Sequence, residues 1–479
     1  MKMTIGGKKA ESKDKRTLDV FCPVDNQLLD AVPIATKEDV DEAVRMAWHG
    51  QKIWSKQPLH YRVDVLHKYI ELLDEHKEEV ATLMSLEQGR PYWQNIANID
   101  NNVKNIIPGY LDVCKHQYGR TTLPGAYAGK EKDFQVVVRE PLGVVATIIP
   151  FNSPINLFLK KAIPALAVGN SLVVKPASDA PLAMIKIVDL FVEAGVTPEA
   201  VNIVTGSGAA VGKWISENPK VAAISFTGST EVGAEIVKNS SRNLTRCFME
   251  LGGNDACIIT DDADINLAAK AAKAGRTANA GQICASPKRY IVHKNVAEEF
   301  TLKLVDELKT LKIGAPMDPG VEMCCLINEK AAINAENQIK HTVDQGAVLV
   351  YGGKRRGAYI EPAVLSGVTK NMDIAKDMEV FAPVFPIIAV EDDSEAIDIA
   401  NSSSYGLSGA VFCRDFKRAF NIANAVETGQ MVINWHSYYL NPDAPFGGYK
   451  KSGLGREGIM VTLDEFTQQK TITLKDILF

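Results

Sequence analysis

Between residues 36 and 118, apolar side chains recur every three or four positions. KEDVDEAVRMAWHGQKIW and YRVDVLHKYIELLDEHKEEVATLMSLEQG are examples, and the spacing predicts amphipathic helices. Beyond about residue 140 the pattern changes. Short β-branched runs, VVATII (144–149), SLVVKP (171–176), VNIVTG (201–206) and AISFTG (223–228), predict buried strands. Between them APLAMIKIVDLFVEAG and SGAAVGKWISEN carry helical spacing and end on Gly or Asn. Strand and helix in alternation predict βαβ units and a parallel sheet, with ligands held at the carboxyl ends of the strands. A second α/β series starts at DACIIT (255–260). An Ala-rich helix from about Asp264, RYIVHK, a charged helix from Val296, AVLVYGG and FPIIAV follow. FQVVVRE near residue 134 and the terminal QQKTITLKDI read as exposed two-sided strands. They belong to neither series, so each is expected to pair with another subunit.

A chain of 479 residues exceeds one ordinary core, so two or three packed units are expected. The net charge of −5, with no block of Lys and Arg, offers no footprint for nucleic acid or an anionic membrane. The start MKMTIGGKKAESKDKR lacks an apolar core, and the apolar stretch 142–174 is interrupted by Asn152, Lys160, Lys161, Pro164 and Asn170. A cytoplasmic protein without signal peptide or membrane span is expected. Eight cysteines without a CxxC pair fit neither a disulfide framework nor a zinc site, and the Cys324-Cys325 doublet has no nearby ligands. No metal is expected, and small-molecule chemistry is the default.

Cys284 stands in ANAGQICASPKR among small residues, where a core would take something larger. A free cysteine is more often a small buried apolar residue than a nucleophile, and only a positioned charge or donor array lowers its pKa. Glu250 in FMELGGNDA is either a solvated strand-end carboxylate or, if buried, a general base with a raised pKa. Asn152 in PFNSP follows a predicted strand; it reads as a turn former before Pro154 or as an amide donor to a developing oxyanion. FTGSTEVG (226–233) sets Gly228 at a strand end, Ser229 at a helix N-cap and Gly233 in the first turns, which aims helix amides at a phosphate. Its spacing is not the usual dinucleotide fingerprint, and neither is that of GSGAAVG (206–212). Lys175 ends the strand in VVKPAS, where its ammonium either lies on the surface or reaches a ribose or phosphate.

Six ordered motifs resemble those of the aldehyde dehydrogenase superfamily through nearly the whole chain. They are PFNSPINLFLKKAIPALAVGNSLVVKPAS, FTGSTEVG, MELGGN, GQIC, EVFAPV and PFGGYKKSGLGREG. In style they are closest to succinate semialdehyde and lactaldehyde dehydrogenase-like members. The resemblance implies an α/β fold with a Rossmann-type cofactor domain (1–119 and 142–252), an α/β catalytic domain (253–452) and a small β oligomerisation element (120–141 and 460–479). It also implies a homodimer or homotetramer.

By the same resemblance Cys284 adds to an aldehyde, the Asn152 amide and the Cys284 N–H hold the oxyanion, and NADP or NAD accepts the hydride. Water activated by Glu250 then releases the acid. Lys161 and Glu457 match residues tied to proton relay and active-site order. Lys175 matches the lysine on the adenosine ribose, and Glu379 the glutamate on the nicotinamide ribose, with Phe381 beside it.

Several positions depart from the pattern. Ser178 replaces the glutamate that chelates the adenosine ribose in NAD-preferring relatives, which removes repulsion against a 2′-phosphate and predicts that NADP is accepted. Phe151 stands where Trp is common, Ala382 where Gly is usual, and Gln468 where the interface strand often has glutamate. Lys160 falls where relatives acting on succinate semialdehyde or lactaldehyde carry an arginine, which favours an acidic or hydroxylated substrate. Ala278 takes the place of the second arginine of the succinate semialdehyde enzymes, which weakens a dicarboxylic assignment. His436, Tyr438 and Tyr439, in the loop at the entrance, favour an aromatic aldehyde or serve subunit packing. Two rival readings are an acylating, coenzyme A-dependent relative, which typically lacks the glutamate at position 250, and a non-catalytic structural protein on the same fold.

Overall fold

The computed structural model describes residues 1–117 and 119–477. Tyr118, Leu478 and Phe479, at the ends of the helical stretch 36–118 and of the terminal segment 460–479, lie outside the described residues. Two large sheets carry the architecture. The first has eight strands in the order Lys8–Ala10, Met3–Ile5, Val201–Ile203, Ser171–Lys175, Val144–Ile148, Val221–Thr227, Arg246–Glu250 and Gly453–Leu454. Its five middle strands run parallel, as the alternation predicts. From Val144–Ile148 the chain steps outward twice, then returns to lay Val221–Thr227 on the other side of the same strand. That reversal opens a crevice beyond the carboxyl ends of these two strands, where ligands of such sheets bind.

Helices cover both faces of this sheet because its strands are apolar on both sides. Lys37–Trp54 is fixed at its start by a capping box between Thr36 and Asp39 and buries Val40, Ala43, Val44 and Ala47. Leu182–Ala194 and the helices between residues 59 and 114 pack the opposite face.

The second sheet has seven strands, in the order Val348–Tyr351, Ala363–Ser366, Val384–Val390, Arg289–His293, Ala256–Ile259, Gly409–Phe412 and Met431–Ile433. All neighbours are parallel except the first pair. The loops that open its strands Ala256–Ile259, Arg289–His293 and Val384–Val390 face the strand ends of the first sheet across the crevice.

The expectation for the two outlying strands changes here. Phe134–Pro141 and Thr467–Leu474 pair with each other, antiparallel over the whole of both strands from Thr467↔Pro141 to Leu474↔Phe134, so each finds a partner within its own chain. Arg120–Thr121 completes their small sheet on one side, while most of Thr467–Leu474 stays exposed along the other. The first 35 residues form four short strands, two on the edge of the first sheet and two in a hairpin. Their weak alternation carries no sequence signal. Among the described residues no helix is long and apolar enough to cross a membrane, and no cluster of His, Cys, Asp and Glu could hold a metal.

Candidate active site

Asn152 lies four residues past Ile148, just before the helix Pro154–Ala167. On that helix Asn156, Leu157 and Lys160, with Ser153 at the N-cap, fall at i, i+3, i+4 and i+7 and line one wall of a narrow cavity. Lys161, one position on, turns away and forms a buried ion pair with Glu457. The opposite wall is the segment Ile283, Cys284 and Ala285, with Tyr438 and Phe446 from the C-terminal loops. Cys284, Asn152 and Glu457 thus share one cavity although they are far apart in the chain.

The nucleophile loop is built from unusual backbone. Asn279, Ala280 and Gly281 have φ of 48°, 52° and 75°, three successive left-handed residues. For Ala280 this costs about 1–2 kcal/mol, which the surrounding contacts must offset. A Cβ on Gly281 would sit 2.5 Å from the carbonyl carbon of Ala382, so only glycine fits there. The Asn152 amide nitrogen donates to the Gln282 carbonyl at 2.9 Å, and the Asn279 amide nitrogen donates to the Asn152 carbonyl at 3.0 Å. The side-chain oxygen of Asn152 has no hydrogen-bond partner among the described residues. One of its two N–H groups is therefore committed to the loop and the second is free for a ligand oxygen.

Electrostatics keep the free protein at rest. The half-buried Cys284 thiol is pushed up to about 12 by burial, against which the Lys288 cation works. Glu250, at the end of Arg246–Glu250, is buried and held well above the carboxylate range, chiefly by burial and secondly by the charge of Glu457. Its Oε2 has no hydrogen-bond partner among the described residues. The thiol is thus protonated at neutral pH and burial favours the neutral form of the carboxyl, so proton removal from the thiol belongs to the catalytic cycle.

Residues expected at a dinucleotide surround the crevice. Ser229 caps the helix Thr230–Ser240, its hydroxyl accepting from the Val232 N–H at 3.4 Å. Gly228 follows Thr227 and donates its N–H to the Glu250 carbonyl, which joins two strand ends. Gly233 has a packing role, since a Cβ there would meet Leu251 at 2.5 Å. Lys175 is buried, donates to its neighbour Pro176's carbonyl at 2.5 Å, and has its pKa lowered to about 8 by burial, with Asp179 opposing. The Ser178 hydroxyl donates to the Gly206 carbonyl at 2.9 Å. Glu379 accepts from the Gly253 N–H at 3.4 Å, and the Phe381 ring meets Phe151 edge to face with centroids 6.2 Å apart. Helix amides, a buried lysine bonded only to a carbonyl, and a carboxylate beside a Gly-Gly turn suit the phosphates and riboses of a dinucleotide.

Of the aromatic trio only Tyr438 lines the cavity. His436 lies behind it, its Cβ against Gly275, and burial lowers its pKa to about 4, so it is neutral. Tyr439 is exposed. Sequence reasoning missed four cations. Arg276 donates to the carbonyls of Val384, Gly281 and Val380 and to the Ser286 hydroxyl, which ties the nucleophile loop to the segment that carries Glu379. Arg289 donates to the carbonyls of Asn254, Ala375, Ile399 and Ala400. Lys288 reaches both the Cys284 carbonyl and, at 3.2 Å, the Glu379 carboxylate. Arg90 lines the cavity itself. No local pattern marks these residues, because each acts on backbone or space distant in sequence.

Residues 9–472 match the Aldehyde dehydrogenase family. The chain belongs to that family. Among its relatives, a lactaldehyde dehydrogenase of Methanococcus aeolicus is 36% identical over 98% of this chain and 99% of that enzyme. A succinate-semialdehyde dehydrogenase (NADP+) of Escherichia coli is 35% identical over 97% of this chain and 96% of that one. The structure of an NADP-dependent glyceraldehyde-3-phosphate dehydrogenase from Bacillus halodurans, complexed with NADP, superposes with a TM-score of 0.96 at 35% identity, covering 99% of both chains. An aldehyde dehydrogenase fold is thereby established for this chain, with both sheets in the family arrangement.

Proposed function

We propose that the protein oxidises an aldehyde to its carboxylic acid with NADP+ or NAD+. The observation that carries this is the meeting of Cys284, Asn152 and Glu457 in one cavity at the switch point of the first sheet. In this reading the Cys284 thiolate adds to the aldehyde carbon. The free N–H of Asn152 and the Cys284 backbone N–H hold the oxyanion. When bound, the dinucleotide supplies the hydride acceptor; Lys175, Ser178, Ser229 and Glu379 hold it, with Gly228 letting the backbone approach and Phe151 and Phe381 beside it. Glu250 takes a proton from the water that hydrolyses the thioester, and the Lys161–Glu457 pair next to it receives the proton.

Ser178 leaves room for a 2′-phosphate, which favours NADP. The Lys160 cation, which has no ion-pair partner among the described residues, favours an acidic or hydroxylated aldehyde, and Tyr438 leaves an aromatic one open. Residues 1–119 and 142–252 form the cofactor unit, 253–452 the catalytic unit, and 120–141 with 460–479 a joining element. The exposed edge of Thr467–Leu474 suits a neighbour's sheet in a homodimer or homotetramer, and the protein works in the cytoplasm. Glu250 weighs against transfer to coenzyme A.

The test is an aldehyde panel with each cofactor, read as reduced nicotinamide. Cys284→Ala is expected to abolish turnover, and Glu250→Gln to leave an initial burst followed by a stall. Full turnover of Cys284→Ala would remove the nucleophile assignment, and absence of product with every pair would overturn the reading.

A further inference from the structure

The cavity in front of Cys284 holds more positive charge than its own residues neutralise. Arg90 ends the turn between the helices Lys77–Gln88 and Tyr92–Asn101, where Gly89, with φ of 71°, closes the first helix. Arg90 is 4% exposed and lines the cavity together with Lys160, Tyr438 and Cys284. Its partners are neutral. Nε donates to the Gln94 side-chain oxygen at 3.2 Å, both Nη atoms reach the Asn98 side-chain oxygen at 2.8 and 3.0 Å, and the Tyr438 hydroxyl lies beside it. No carboxylate pairs with Arg90 or Lys160 among the described residues, and the Lys160 ammonium has no hydrogen-bond partner among them.

The nearby acids are already engaged. Glu457 is bound to Lys161, and burial disfavours the charged form of Glu250. Two buried cations without an anion are costly, and burial works against the charge of both. A planar guanidinium that lines the cavity and is held only by neutral groups is matched by a carboxylate or phosphate oxygen pair.

We propose that Arg90, with Lys160 and Tyr438, forms a seat for an anionic group at the far end of the substrate, so that the enzyme acts on aldehydes bearing a carboxylate or phosphate tail. The inference rests on the aldehyde-oxidation reading above. It also relocates a charge. Ala278 leaves empty the position where a second cation was sought, and the structure supplies that cation from residue 90, on a different helix pair.

Matched substrates test it: butanal against 4-oxobutanoate for a carboxylate, and glyceraldehyde against glyceraldehyde 3-phosphate for a phosphate. In the wild-type protein one anionic aldehyde is expected to exceed its neutral partner in kcat/KM by about 100-fold, and the larger of the two ratios identifies the tail. Arg90→Met is expected to cut that ratio by at least ~30-fold, with Arg90→Lys between them. Neutral aldehydes oxidised as well as anionic ones would overturn the seat and leave the aldehyde reading standing, whereas no oxidation of any of the four would overturn both. An unchanged ratio in a folded Arg90→Met would also overturn the seat. Should that variant not fold, the wild-type protein decides through inhibition of its best neutral substrate. Butanedioate or inorganic phosphate is then expected to compete at least ~30-fold more tightly than butanamide, and equal inhibition would overturn the proposal.

Discussion

The two edges that meet at the cavity are held in place by different means. On the first sheet Lys175 and Glu250 end strands, and Gly228 and Asn152 follow strands by one and four residues, so the ladder itself fixes their positions. On the second sheet the nucleophile lies in a loop of left-handed residues before Arg289–His293, and Arg276 and Lys288 hold it by its backbone carbonyls. The first edge is a product of regular secondary structure. The second is a product of buried charge, and removing a holding group should be far more disruptive there.

Arg276→Met gives the largest expected effect. It leaves the acceptors at Val380, Gly281, Ser286 and Val384 without their donor in a buried site. Unfolding by urea should show a loss of about 3 kcal/mol. Turnover should fall about 100-fold, because the loop that carries Cys284 loses its register with the segment of Glu379. A stability loss with normal turnover would mean that the loop keeps its geometry unaided, and the contrast between the edges would fail.

That contrast also decides what could be read from the sequence. Asn152, Lys175, Gly228, Ser229 and Glu250 were legible because a β-branched run followed by a polar residue or glycine marks a strand end. Cys284 was legible only through the ordered motifs, and Arg276, Lys288 and Arg90 not at all. An arginine inside AGRTANAG or EQGRP looks like a surface residue until the chain has folded around it. The pairing of Phe134–Pro141 with Thr467–Leu474 was hidden for a related reason: more than 300 residues separate the two strands, and neither has a buried face to betray its partner.

Lys175 on the first edge should respond in the opposite sense. Its pKa is lowered to about 8 from an ordinary 10.5, so between these values the unfolded chain holds a proton that the folded one does not. Stability contributed by this site is therefore lowest below pH 8, rises through the window, and is fully recovered above 10.5. Lys175→Met removes the penalty. At pH 7 the variant is expected to be more stable than the wild type by on the order of 2 kcal/mol, the difference shrinking toward pH 10, while its affinity for the dinucleotide falls. A variant less stable at pH 7 would show that Lys175 is a structural prop like Arg276, and would erase the distinction.

The smallest effect probes the second edge through the thiol. With Cys284 pushed up to about 12 by burial, its alkylation by iodoacetamide should climb about tenfold per pH unit beyond pH 9, where an ordinary cysteine levels off. Lys288 acts against this burial through its charge, and it also grips the Cys284 carbonyl and the Glu379 carboxylate. Lys288→Met should slow alkylation at pH 9 about tenfold, since the thiolate loses the cation that opposes its burial. Measured against Cys284→Ala for background, a plateau below pH 9 in the wild type would mean that the thiol is activated before any ligand arrives. An unchanged rate in Lys288→Met would assign that lysine to the loop's shape alone, and the charge on the second edge would then act only through the hydrogen bonds it makes.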